Sequence, residues 1–313
     1  MFEKCSEEIA ELAGAAAVAA CWAQWAGLGA PASRRTAPAS IIDVEALILL
    51  SLRVTARERR LQDLVAWWAR VGSVVTSVQR FRSVAESFEP TAEAGLATFA
   101  TLAVGAGDRR WLPHVGPGDV APPTREKGMD APNLGEPCAL WPRLRAGLGV
   151  GAKADVLAFL LGSGGAWAST RQIALALGYS TVAVRAAASE MALARFITET
   201  GDRPAEYSAR AASWAALLDL GGSPPAAPAW RFWADVFAFL AGALAWSGSV
   251  SAPDAPGPHV LASRARDLLE RHARAFALAR VPVPEPAGHT GLEAADGLLS
   301  TTGVVAEWVR EHL

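Results

Sequence analysis

The sequence predicts a mainly α-helical fold, with a central unit of three helices followed by a two-stranded hairpin. Three observations carry that expectation. Apolar residues recur at helical spacing in segment after segment of the 313-residue chain. Pro and Gly clusters punctuate the chain between those segments. One stretch, ARFITETGDRPAEYSAR (194–210), reads instead as a strand, a tight turn and a return strand. With 51% of residues hydrophobic and 19% charged, the composition is that of a folded protein with at least one sizeable core.

Taken in order, residues 6–28 are helical in pattern. Ser6 followed by Glu7 and Glu8 resembles a capped start, and Ile9, Leu12, Ala16 and Ala19 share one face. Residues 30–40 read as a loop. DVEALILLSLRV (43–54) begins with Asp43 as N-cap and predicts a mostly buried helix. ERRLQDLVAWWARVG (58–72) places Leu61, Leu64, Val65 and Trp68 on one stripe and ends at Gly72. TSVQRFRSVAESF (76–88), capped by Thr76 or Ser77, turns Phe81, Val84 and Ala85 inward and leaves Gln79, Arg80 and Arg82 on the exposed side. These three helices are compatible with a helix-turn-helix at 43–88. A further helix is expected within 89–104.

Residues 105–149 change character: seven prolines and many glycines predict a linker or an arm wrapped around the body. Helices are expected again at 153–164, 170–178 and 180–193. Past Pro/Gly breaks at 221–229, 252–258 and 281–288, they are expected within 229–246, 259–279 and 297–313. The expected organisation is thus a helical domain at 1–104, the 105–149 segment, a central domain at 150–215 and a helical C-terminal domain at 216–313.

The net charge of −2 excludes a globally basic nucleic-acid coat but allows a local basic face. Residues 51–88 carry seven Arg against three acids, whereas 216–313 carry seven Arg against ten. The three cysteines show no zinc spacing, and their odd number suggests reduced thiols and a cytoplasmic home. His114, His259, His272, His289 and His312 are isolated, so no metal is expected. Two stretches, 12–33 and 236–253, are apolar. Acids precede the first, and the strongly apolar part of the second is about eleven residues, so buried helices are expected rather than membrane spans. No phosphate loop, GxSxG elbow or HExxH occurs, and the carboxylates are dispersed. Neither an enzyme nor a cofactor is expected.

The pattern at 153–210 resembles the winged helix-turn-helix family of DNA-binding domains. Its signs are Ile173, Ala174 and Leu177 in the second helix, Gly178 at the turn and Ser180 opening the third. Val184, Ala187, Ala188 and Met191 would face inward, and ITETGDRPAEYS would be the wing. The resemblance implies that the third helix enters the major groove of double-stranded DNA while the wing approaches the backbone. Thr181, Val182, Arg185, Ala186 and Ser189 would then face the groove. Arg185 is the one residue there able to contact guanine in bidentate fashion, and Val182 could touch a thymine methyl. Arg171, Arg195 and Arg203 would meet phosphates, joined by the hydroxyl of Ser180 or Thr181. Gln79, Arg80 and Arg82 on the earlier basic helix are the other DNA-contact candidates.

Such a protein would be a bacterial, homodimeric transcriptional regulator. The alternative is an antitoxin-like module that docks on a protein partner such as a toxin or defence enzyme. The nearly neutral third helix and the tryptophan-rich C-terminal third suit that role.

Overall fold

The computed structural model of the chain describes residues 2–30, 38–88, 92–116, 131–284 and 293–313. The protein is mainly helical, as expected. Most of the 30–40 loop, the middle of the 105–149 segment, His289 and part of the 281–288 break lie outside the described residues.

Helix α1 (Phe2–Gly27) begins earlier than expected, so Ser6 sits inside it and its hydroxyl donates to the Glu3 carbonyl (2.8 Å). Helix α2 (Val44–Arg53) is capped by Asp43, which accepts from the Ala46 amide. Helix α3 (Arg60–Val71) ends at Gly72. A Cβ on Gly72 would lie 2.2 Å from the Trp68 ring, so glycine is the residue that lets this ring pack. Helix α4 (Val78–Ala85) takes Ser77 as its cap, and α5 (Ala92–Gly105) follows.

Helices from the first 104 residues and from the C-terminal third share one core. Helix α1 packs against α11 (Trp233–Val250) and α13 (Glu293–Glu311), and α11 also packs on α2 and on α12 (Pro258–Ala279). Apolar faces too small to enclose a core alone bury more surface by pooling. Trp25, Trp67 and Trp68 meet at its centre with ring centroids 5.9–6.2 Å apart. Their polar edges are answered as well: Trp25 Nε1 donates to Ser51 Oγ (2.9 Å) and Trp68 Nε1 to Thr76 Oγ1 (3.0 Å).

The 105–149 segment is not simply a linker. Its start, a 3₁₀ turn at Arg109–His114, inserts Trp111 edge-on against Phe81 and Phe99 at 5.4 and 4.8 Å. Its end forms α6 (Leu140–Leu148), which was not expected. A second core gathers around α6, α7 (Ala152–Gly162) and the central unit, with Trp230 packed on Trp141 (4.7 Å) and Phe159 (5.3 Å).

In that unit β1 (Ala168–Ser169) precedes α8 (Thr170–Leu177) and α9 (Thr181–Leu193), and β2 (Thr198–Glu199) and β3 (Glu206–Ser208) follow. The expected hairpin is therefore extended by a third strand. The order is β1-β3-β2, all antiparallel, with Ala168 opposite Tyr207 and Thr198 opposite Ser208. Helix α10 (Ala211–Leu218) then crosses back, its Trp214 Nε1 donating to the Phe196 carbonyl (3.2 Å).

Helices α1 and α11 are each long and apolar enough to cross a membrane by length and composition. In the fold both contribute most of their apolar residues to the shared core.

Candidate nucleic-acid interface

The α8–α9 pair is built from short-range chemistry. Ser169 closes a capping box: its hydroxyl accepts from the Gln172 amide, while Gln172 Oε1 accepts from the Ser169 amide (2.8 Å). Gly178 ends α8 in the left-handed region (φ +71°) that glycine adopts without strain. Two residues on, Ser180 caps α9 by accepting from the Ala183 amide (3.2 Å). Ile173, Ala174, Leu177, Val184, Ala187, Ala188 and Met191 are all buried, as their spacing predicts.

On the outer side, Thr181, Val182, Arg185, Ala186 and Ser189 are exposed along α9. Val182 is 74% exposed, so the first turn of this helix presents an apolar tip. Ser189 Oγ lies 3.2 Å from the Tyr207 hydroxyl, which also donates to Glu199 Oε1. Those contacts tie the helix to the sheet. Arg171 on α8, Arg185 on α9, Arg195 at the exit of α9 and Arg203 in the β2–β3 turn are all exposed. Among the described residues none of the four is in an ion pair, unlike neighbouring Lys153, which is bridged to Glu190 (2.6 Å).

The second expected set is split. Gln79 and Arg82 are exposed on α4, close to the α8–α9 turn: a Cβ on Gly178 would lie 3.6 Å from that of Ser83. Arg80, expected to contact DNA, is 2% exposed and turned inward. Its Nη1 and Nη2 donate to the two carboxylate oxygens of Asp43 (2.8 and 2.7 Å), and Nη1 also reaches Glu45 (3.2 Å). The physical reason is helical spacing: Arg80 stands four residues before buried Val84 and shares its face. The carboxylates compensate the desolvation.

Arg80 belongs to a buried ion cluster that joins the two cores. Arg145 from α6 binds Asp155 of α7 in bidentate fashion through Nε (2.7 Å) and Nη2 (2.9 Å). Its Nη1 reaches Glu45 (2.5 Å) and the Val75 carbonyl (3.2 Å). Both guanidinium groups lie over the Trp141 ring, Arg80 at 4.3 Å and Arg145 at 4.9 Å from its centre. Asp155 also accepts from Trp141 Nε1 (2.7 Å) and from the Tyr179 hydroxyl (2.8 Å).

Burial alone would raise the Asp155 pKa. The Arg145 charge and hydrogen bonds outweigh it and hold the carboxyl below its ordinary range. The same carboxylates hold both arginines in the charged form against desolvation, raising their pKa values. Tyr179 is pushed up, by burial first and by Asp155 second.

Tyr179 immediately precedes the Ser180 cap, so the cluster sets how α9 leaves its turn. The cluster sets three buried carboxylates, Asp43, Glu45 and Asp155, against two guanidinium groups. Among the described residues no three His, Cys, Asp or Glu side chains gather as metal ligands. The signal for the cluster was present in the sequence as isolated charges inside apolar helical runs, Asp155 in ADVLAFLL and Arg145 four residues after Trp141. Comparison with protein-family models, with curated proteins and with solved structures finds no match to this chain.

Proposed function

We propose that residues 152–208 form a winged helix-turn-helix and that the protein is a non-enzymatic, DNA-binding transcriptional regulator acting as a homodimer in the cytoplasm. The observation that carries the reading is the element order helix, strand, helix, helix, strand, strand with β3 central, combined with four exposed arginines around α9. In this arrangement Arg185 reads a base, with Thr181 and Val182 beside it. Arg171, Arg195 and Arg203 neutralise phosphates, and Gln79 and Arg82 flank the turn. Ser180 acts through its cap. Arg80 has no part in the contact. The free, buried thiols of Cys5, Cys21 and Cys138 suit a reducing compartment.

Self-association is supported by an apolar face where α9 ends and α10 runs. Leu193 is 87% exposed, Leu217 71% and Phe196 49%, with Phe196 packed edge-on against Trp214 at 5.7 Å. Exposed apolar side chains of this kind make up the cores of homodimer interfaces. Leu193→Asp with Leu217→Glu should convert the protein to a monomer in analytical ultracentrifugation. A dimer that survives both changes moves the interface elsewhere.

DNA binding is tested by fluorescence anisotropy on the fragment upstream of the gene and on random duplex, across a salt series. Arg185→Ala should weaken the upstream fragment by roughly 10- to 100-fold and random duplex far less. Arg171→Ala and Arg203→Ala should weaken both duplexes alike and shallow the salt slope by about one unit each. No preference for the upstream fragment over random duplex at any salt sinks the regulator. In that case the apolar tip at Val182 favours the second reading, a module that docks on a toxin or defence enzyme.

A further inference from the structure

Helices α2, α3 and α5 and Phe88 border a cavity of about 390 Å³, none of whose described lining residues belongs to 152–208. Its size falls at the lower end of small-molecule sites. Leu49 and Leu52 of α2 and Phe88 supply an apolar floor. Helix α5 comes so close to it that a Cβ on Gly95 would lie 3.0 Å from Leu49 Cδ2. The polar lining is Arg53 at the end of α2, Thr55 just beyond it, Gln62 on α3 and Thr98 on α5. No Asp or Glu is among the described lining residues.

Arg53 is the unusual member. It is half-buried, yet among the described residues it is in no ion pair, in contrast to Arg80 and Arg145. Its one hydrogen bond there is long, from Nε to the Ala241 carbonyl (3.5 Å). Nη1 and Nη2 are left without a described acceptor, and neither is sealed from solvent. Burial draws the pKa of this guanidinium down with no carboxylate to restore it, although the group stays charged. The carbonyls that end α2 do not occupy it either. The Val54 amide answers those of Leu50 and Ser51, and the Thr55 hydroxyl answers that of Leu52 (3.0 Å).

Two features of α5 add to the same picture. The Thr98 hydroxyl makes no hydrogen bond among the described residues, whereas that of Thr101 donates to the Ala97 carbonyl (2.8 Å) in the manner usual for helical threonine. Ala94 and Gly95 belong to the opening turn of α5, where the helix dipole favours negative charge. One uncompensated cation, neutral donors beside it and an apolar floor are complementary to a monoanion that carries a hydrocarbon tail.

We propose that this cavity binds a small carboxylic acid with a short alkyl chain. The carboxylate pairs with the Arg53 guanidinium and accepts from Thr98 and Gln62, while the chain lies on Leu49, Leu52 and Phe88. Binding here does not depend on DNA recognition by α9.

Calorimetry on the full chain, without DNA, tests the site with four probes: hexanoate, acetate, 1-hexanol and inorganic phosphate. Hexanoate should bind best. Acetate, which lacks the tail, and hexanol, which lacks the charge, should each be weaker by roughly 10-fold or more. Phosphate should bind no better than acetate. Arg53→Met keeps an apolar stem, strands no described carboxylate, and should abolish the preference for hexanoate over hexanol. Ala94→Phe, at an exposed position on the rim, should block hexanoate by filling the cavity. No hexanoate binding up to about 10 mM, a range in which a weak site of this size is measurable, overturns the proposal. So does hexanoate binding that either variant leaves unchanged while its circular dichroism matches the wild type, since the acid then sits elsewhere. Hexanol or phosphate equalling hexanoate on the wild-type protein overturns it as well, because the site would then read the tail alone or the charge alone.

Discussion

Arg145→Met removes one side chain from the ion cluster and should destabilise the protein by about 4 kcal/mol. The magnitude follows from what is left behind. Asp155 loses both arms of a bidentate pair (2.7 and 2.9 Å) while fully buried, and keeps only Trp141 and Tyr179 as donors. Glu45 loses a 2.5 Å partner but retains Arg80 and the Ser77 amide. A buried carboxylate deprived of its cation costs about 3–5 kcal/mol, against less than about 1 kcal/mol for an exposed pair. Lys153→Met is therefore the control, since its bridge to Glu190 has side chains 57% and 60% exposed.

The assay is urea unfolding followed by circular dichroism and tryptophan fluorescence, run from pH 7 to pH 4.5. Wild-type Asp155 has a lowered folded pKa, so its contribution is complete above the ordinary carboxylate value and is lost only as pH falls below it. Without Arg145, burial dominates and the folded pKa rises. Proton uptake then relieves the variant, and its deficit should shrink as pH falls toward 4.5. Adding Asp155→Asn should recover about half of the loss at pH 7, because the buried charge is gone while an acceptor remains. A cost under about 1 kcal/mol, equal to the Lys153→Met control, would refute the reasoning. A deficit that does not shrink on acidification would refute the assignment to Asp155.

Other expectations follow from single positions. Gly72→Ala should cost about 3 kcal/mol in the same unfolding assay, because its Cβ would lie 2.2 Å from the fully buried Trp68 ring. Gly178→Ala should cost only about 1 kcal/mol, from its φ of +71°, since the added Cβ meets nothing closer than Ser83 at 3.6 Å; equal costs at the two glycines would contradict the distinction. His272 and Asp235 should oppose each other on acidification. His272, pushed down to about 4, gives a contribution complete above its unfolded value near 6.5 and lost as pH falls toward 4. Asp235 is pushed up to about 6, by burial first and Asp43 second, so its contribution is complete below about 4 and lost as pH rises to 6. Each spans about 3 kcal/mol at most, so stability should change little between pH 6.5 and 4.5 on their account. Asp235→Asn should then unmask acid lability and His272→Gln the reverse, and parallel pH profiles for the two variants would disprove the pairing.

The sequence by itself determined those parts of the protein whose causes lie within one or two helical turns. Asp43 and Ser180 cap the helices they precede, Ser77 does so from the pair Thr76 and Ser77, Gly178 closes α8, and the inward positions of α8 and α9 follow from apolar spacing. The exposed arginines of the central unit were legible for the same reason, since a residue off the apolar stripe of a helix faces water.

The tertiary structure decided what depends on distant partners. Arg80 pairs with Asp43 across 37 positions, and Arg145 with Glu45 across 100, so the counter-charge that makes each burial tolerable lies far outside its own neighbourhood. Helix α6 was not legible because its Pro142 and Gly147, read locally, signal a loop; packing of Trp141 and Leu144 into the second core overrides them. The pooling of α1 with α11 and α13 into one core belongs to the same class. Local hydrogen bonds and periodicity set which residues form helices. Whether a charge among them faces solvent or a buried counter-charge is settled only when the helices meet, because desolvation is tolerable only once the opposite charge is in place.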